Sequence, residues 1–150
     1  MALAVGDKAP NFTSVDQDNN PISLSDFTGK KVVLYFYPKD NTPGCTAQSC
    51  NLRDNYAALI KAGYVVLGVS IDTVKKHQNF IEKYDLPFPL IADTSQEVVN
   101  LFGVWQEKKM YGRKFMGIVR TTFVIDEKGT ISEIISKVDT KNHTSQILTT

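Results

Sequence analysis

Among the 150 residues there are only two cysteines, two histidines and one tryptophan, and no apolar run reaches the ~18 residues of a spanning helix. Each shortage excludes something. Two cysteines are too few for a disulfide framework, so in a reducing compartment they point to redox catalysis, a metal site or core packing. Excess charge is missing too: 17 Lys and Arg face 16 Asp and Glu, net +1, which gives little to hold a phosphate backbone or an anionic membrane surface. Neither nucleic acid nor membrane is an expected partner. Residues 1–10 show no basic start, apolar stretch and small-residue cleavage site, so the expected location is the cytoplasm. No repeat, low-complexity tract or Gly/Ser linker divides the chain, and residues 1–150 are expected to form one domain. GxGxxG and Walker-type loops are absent, and no flavin, nicotinamide or metal cofactor is expected.

What is present alternates strands and helices. Residues 32–37, Val-Val-Leu-Tyr-Phe-Tyr, form an unbroken apolar run ended by Pro38, the pattern of a strand covered on both faces. Residues 65–71 and 121–125 repeat it, and 88–91 is a shorter strand interrupted by Pro89. Helices are expected over 46–61, about 74–84 and about 95–103. A turn at 126–129 leads to a strand at 131–135, and residues 12–15 and 21–24 flank a polar turn as an N-terminal β-hairpin. The fold class is α/β, a mixed central sheet with helices on both faces.

The junction Tyr37-Pro38-Lys39-Asp40-Asn41-Thr42-Pro43-Gly44-Cys45 runs from a buried strand through a polar loop into a helix. Such junctions are where α/β folds place chemistry. Thr42 suits the N-cap and Pro43 the first helical position, which puts Cys45 in the first turn, where unpaired amides and the helix dipole favour a thiolate. A large effect needs a cation as well, and the arginines are Arg53, Arg113 and Arg120. Cys45 shares its helix face with Leu52, Tyr56, Leu59 and Ile60. Cys50 lies ~140° round and ~7.5 Å along, so the two Cα atoms are ~8 to 9 Å apart in an intact helix. A disulfide needs less than ~7 Å. The pair can be bridged only if the helix unwinds between Thr46 and Ser49.

Pro38-x-x-x-Thr42-x-x-Cys45 resembles the active-site motif of the peroxiredoxins, and Cys45-x4-Cys50 followed by Leu52-Arg53-Asp54 is similar to the bacterioferritin comigratory protein, or PrxQ, subfamily. The resemblance extends to Val5-Gly6-Asp7-Lys8-Ala9-Pro10-Asn11-Phe12, Phe102-Gly103-Val104-Trp105 and Arg120-Thr121-Thr122-Phe123-Val124-Ile125-Asp126. It implies a thioredoxin-like fold and thiol-dependent reduction of hydrogen peroxide and organic hydroperoxides. By the same resemblance Cys45 is the peroxidatic cysteine, whose sulfenic acid Cys50 resolves as an intramolecular disulfide. Pro38 and Thr42 are the loop residues around the thiolate, and Arg120 is its arginine. Thioredoxin or a similar dithiol protein is the implied reductant, and a monomer or weak dimer the implied assembly. The family's terminal helix is expected to be clipped, since Thr150 follows soon after Leu148.

Ionisation alone does not make a peroxidase. A thiol of pKa ~8.5 is ~3% ionised at pH 7 and one of pKa ~6 is ~90%, a gain of only ~30-fold. The breaking O–O bond also needs donors, expected from Arg120, the Thr42 hydroxyl and the amides of residues 44 and 45. Two other readings use the same cysteines: a thiol–disulfide oxidoreductase, which ordinarily has Cys-x-x-Cys, and a non-enzymatic redox sensor or holdase. His77, between Lys76 and Gln78, is expected on the solvent side or rim of its helix. Trp105 and the Phe and Tyr set are expected in the core, and Lys108-Lys109 with Arg113-Lys114 in a solvated turn.

Overall fold

The computed structural model describes residues 3–148; Met1, Ala2, Thr149 and Thr150, part of the expected domain, lie outside the described residues, as does any continuation of the terminal helix that was expected to be clipped. β-Branched and aromatic residues build β3 (Lys31–Phe36), β4 (Tyr64–Ser70) and β8 (Thr121–Ile125), which with the shorter β5 (Leu90–Ala92) and β9 (Ile131–Ile135) form a sheet ordered β5-β4-β3-β8-β9. β3, β4 and β5 run parallel, while β8 and β9 are antiparallel additions. The mixed sheet expected from the sequence is present, and β5 begins only after Pro89, which cannot donate to a ladder. The N-terminal hairpin pairs β1 (Thr13–Val15) with β2 (Pro21–Ser23).

Alternation along β3 sends residues to two cores. Val32, Leu34 and Phe36 join Phe12, Ile22, Val98, Val99 and Phe102 on one face, beneath the hairpin and helix α4 (Glu97–Leu101). Val33 and Tyr35 face the other way and, with Tyr37 just beyond the strand, pack against Cys45, Leu52, Leu59, Phe80 and Ile147. Those come from α1 (Pro43–Asp54), α2 (Tyr56–Lys61), α3 (Val74–Tyr84) and α5 (His143–Leu148). Among the described residues no helix is long and apolar enough to cross a membrane.

Three expectations need correction. The helix expected over 46–61 is two: Asn55 leaves helical geometry at φ −112° and ψ 14°, and its side-chain amide donates to the Asn51 carbonyl. Asparagine competes locally with the helix ladder in this way. The break turns Ile60 outward, 53% exposed, away from the Cys45 face. Second, the two basic pairs are not a solvated turn but lie on β6 (Trp105–Met110) and β7 (Arg113–Ile118), a separate hairpin closed by Tyr111-Gly112 with φ of 53° and 78°. Two successive positive φ values make the turn whose twist suits a two-residue hairpin, and Gly112 takes the second position without strain. Third, several aromatic residues are outside the core: Tyr111 is 97% exposed and Phe115 43%, while Trp105 is half-buried against it.

Candidate active site

Leaving β3, the chain crosses Pro38 to Thr42 and enters α1 at Pro43. Thr42 occupies the N-cap in extended geometry, φ −97° and ψ 157°, and its carbonyl accepts the first helical bond from Thr46 N at 2.8 Å. Its hydroxyl does not cap the helix. It donates instead to the Lys39 carbonyl at 2.8 Å, closing the loop on itself and leaving oxygen lone pairs, not the proton, to face elsewhere. Half-buried Pro38 has no amide to donate.

Cys45 is in the first helical turn as expected, and the residue is only 1% exposed. Arg120, in the short link between β7 and β8, reaches it from the start of the strand that pairs with β3. Its Nη2 lies 3.4 Å from Cys45 Sγ and its Nη1 donates to Gln48 Oε1 at 2.6 Å. Room for this guanidinium comes from Gly44, where a Cβ would lie 3.0 Å from Arg120 Nη2. A permanent cation thus reaches the sulfur at the start of a helix.

Cys50 is half-buried on the same unbroken helix, and both thiols are free. Burial pushes the Cys50 thiol above its ordinary value; nearby Arg53 pulls the other way and Asp54 adds to the rise. The rise disfavours the thiolate at Cys50 while the helix is closed.

Sequence reasoning missed three groups. Gln48 is fully buried, and its Nε2 has no hydrogen-bond partner among the described residues. Its position three residues after Cys45, on the same helix face, was the available signal. Ser49 is also fully buried, its Oγ 2.9 Å from the Tyr35 hydroxyl. His77 is not on the rim: it is fully buried, with Nδ1 2.6 Å from Asp40 Oδ2 and Nε2 2.9 Å from the Ile91 carbonyl. Its spacing from Val74 and Phe80 puts it on the apolar stripe of α3, which was legible.

His77 anchors the loop that leads to Cys45. Its Nε2 faces a carbonyl and must carry hydrogen, and one further proton lies between Nδ1 and Asp40. The other Asp40 oxygen accepts from the Tyr37 hydroxyl at 2.6 Å. Asp72 Oδ2 takes the Asp40 amide at 2.8 Å and the Ser70 hydroxyl at 2.6 Å. Asp40, Asp72 and His77 bring ligand-type atoms within 4.8 Å of one another, yet these bonds already join them into a closed network.

A free cysteine in the first helical turn after a central strand, contacted by an arginine from the link into β8, is placed as a nucleophile, and the relatives of this chain make the class a thiol-based peroxidase on a thioredoxin-like fold. The chain belongs to the AhpC/TSA family, whose profile matches residues 5–134, and within it to the Bcp or PrxQ peroxiredoxins. Peroxiredoxin Bcp of Escherichia coli is 46% identical over 97% of this chain and 94% of its own. The structure of a Xylella fastidiosa PrxQ variant superposes with a TM-score of 0.92 at 33% identity, covering 99% of this chain and 95% of that one. A Xanthomonas campestris bacterioferritin comigratory protein, described for alkyl peroxide reduction, matches with a TM-score of 0.86 at 35% identity over 92% and 87%. The chain is thus a thiol-dependent peroxidase that acts on hydroperoxides and is returned by a thiol reductant.

Proposed function

We propose that Cys45 attacks hydrogen peroxide or an organic hydroperoxide, Cys50 resolves the resulting sulfenic acid as an intramolecular disulfide, and thioredoxin or a related dithiol protein reopens it. The reading is carried by the 3.4 Å contact between Arg120 Nη2 and Cys45 Sγ in the first helical turn. As the sulfur attacks the terminal oxygen, an S–O bond forms and the O–O bond breaks, releasing water or an alcohol once the leaving oxygen is protonated. Charge collects on the separating oxygens, where Arg120 and the amides of Gly44 and Cys45 act as donors that need no reorganisation. Thr42 holds the loop through Lys39 and offers its oxygen to a peroxide hydrogen. Pro38 shapes the entrance and limits water.

Condensation with Cys50 then requires α1 to open between the cysteines, because their helical separation exceeds the reach of a disulfide. Residues 1–150 work as one domain in this scheme, a monomer or weak dimer in the cytoplasm, with no nucleic-acid or membrane partner. One experiment tests the chemistry: the reduced protein is mixed with a single equivalent of hydrogen peroxide and its intact mass followed. The expected course is gain of one oxygen, then a product lacking two hydrogens relative to the start. Cys45→Ser abolishes both stages, whereas Cys50→Ser stops at the first. Slow, scattered oxidation with no such order would overturn the scheme.

A further inference from the structure

Unwinding between the two cysteines is bounded on either side. Upstream, Asp40 is fastened to Asp72 and His77. Downstream, Asn51 is tied to the entrance of α5: its Nδ2 donates to the Lys141 carbonyl at 2.8 Å, and its Oδ1 accepts from Thr144 N at 2.8 Å. Leu52 beside it is fully buried. Of the four residues between the cysteines, Thr46 and Ala47 are half-buried, while Gln48 and Ser49 are fully buried. Opening the turn must therefore release two side chains, Gln48 from Arg120 and Ser49 from Tyr35.

Tyr35 is a rigid partner. It is fully buried, stacked on Tyr37 at 5.3 Å between ring centroids and edge-on to Phe88 at 5.9 Å. Strand β4 leaves space for its hydroxyl end at Gly68, where a Cβ would fall 2.9 Å from the Tyr35 oxygen and 2.6 Å from Leu90. A glycine inside a strand weakens it, so the room made for this phenol carries a cost in the sheet itself. Burial also raises the Tyr35 pKa far above the usual tyrosine range, so the hydroxyl keeps its proton.

We propose that the Tyr35–Ser49 hydrogen bond is a latch on the turn joining Cys45 to Cys50, and that these two positioning residues set how long the sulfenic acid persists. The inference rests on the Cys45–Cys50 reading above. In the resolving step the sulfenic S–O bond breaks and an S–S bond forms, while the Cys50 proton leaves with the hydroxyl as water. No other oxidant enters. While the latch holds, a second hydroperoxide can instead transfer an oxygen to the same sulfur, giving sulfinic acid and water or an alcohol. The latch thus divides the sulfenic acid between a reversible and an irreversible product.

Opening leaves the phenol hydroxyl buried without its partner, a penalty that falls on the open form alone. Tyr35→Phe removes that penalty and keeps the ring, while the Ser49 hydroxyl can turn to the Cys45 carbonyl one helical turn back. Stopped-flow peroxide consumption, with quenched mass analysis of the disulfide and sulfinic acid, reads the two steps separately. Expected for Tyr35→Phe is sulfenic acid formation within about twofold of the parent and disulfide formation about five- to tenfold faster. The peroxide concentration giving half sulfinic acid rises by the same factor. Ser49→Ala, which orphans the phenol already in the closed helix, shifts the second step the same way and serves if Tyr35→Phe does not fold. The double variant adds nothing beyond the larger single effect. Unchanged disulfide formation in the folded variants, or additive effects, overturns the latch. If the parent forms no Cys45–Cys50 disulfide at all, the Cys50 reading fails and the latch fails with it.

Discussion

Gly44→Ala separates placement of the guanidinium from stability of the fold. A Cβ there would lie 3.0 Å from Arg120 Nη2 and 3.8 Å from its Cζ. Carbon and nitrogen settle at about 3.5 Å, so the guanidinium must retreat by ~0.5 Å. Its hold on Gln48 at 2.6 Å limits other escapes. The contact with Cys45 Sγ, now 3.4 Å, stretches to about 3.9 Å. At an effective dielectric of about 20, that displacement weakens the attraction of unit charges by ~0.6 kcal/mol. The poorer hydrogen bond loses roughly another 0.5 to 1 kcal/mol. Together, about 1 to 1.5 kcal/mol slows peroxide attack roughly five- to twelvefold. Stability moves the other way or not at all: Gly44 is within α1, where alanine is favoured by up to about 1 kcal/mol. Second-order rates with hydrogen peroxide and thermal melting measure the two quantities on one sample. A rate within twofold of the parent at an equal or higher Tm would show that the guanidinium position does not govern attack. A rate loss accompanied by a lower Tm would assign the effect to folding.

Arg120→Met should slow peroxide attack by about 10² to 10³, beyond the ~30-fold that ionisation of an ordinary thiol can supply. Recovery of the full rate at alkaline pH would refute a transition-state role for Arg120. His77→Phe leaves Asp40 and the Ile91 carbonyl buried without their imidazole partner and should cost about 3 to 5 kcal/mol in urea unfolding; a loss below about 1 kcal/mol would show that this network does not hold the loop. His143 gives a pH dependence of known sign. Burial lowers its pKa from 6.5; the Gln146 bond opposes this and Arg120 adds to it. Folding therefore favours the neutral ring, which accepts from Thr122 and donates to Gln146, each at 2.8 Å. Its contribution to stability is complete above about pH 6.5 and is lost as pH falls through the lower folded value. NMR titration of the His143 ring should place its midpoint below that of a free histidine; a midpoint above it would reverse the sign.

Much of the fold was written in short windows of sequence. The apolar runs of β3, β4 and β8 and the Thr42-Pro43 helix start are local signals, and they fell within a residue or so of the observed elements. The β6–β7 hairpin was not legible because it buries almost nothing: Lys109 pairs with Lys114 and Lys108 with Phe115, so no apolar alternation marks it. The helix break at Asn55 depends on one side chain choosing the Asn51 carbonyl, a competition that periodicity does not resolve.

For the chemistry, sequence by itself determined the place of Cys45 in a helical turn and its separation from Cys50, since both follow from spacing along one continuous helix. Only the tertiary structure decided what surrounds the sulfur. Arg120 is 75 residues away along the chain, His77 is 37 from Asp40, and Tyr35 meets Ser49 through the packing of a helix on a sheet. Each of these polar groups is tolerated inside the protein only where a partner completes its hydrogen bonds. Which partner does so is fixed by how distant segments pack, and no window of neighbouring residues contains that information.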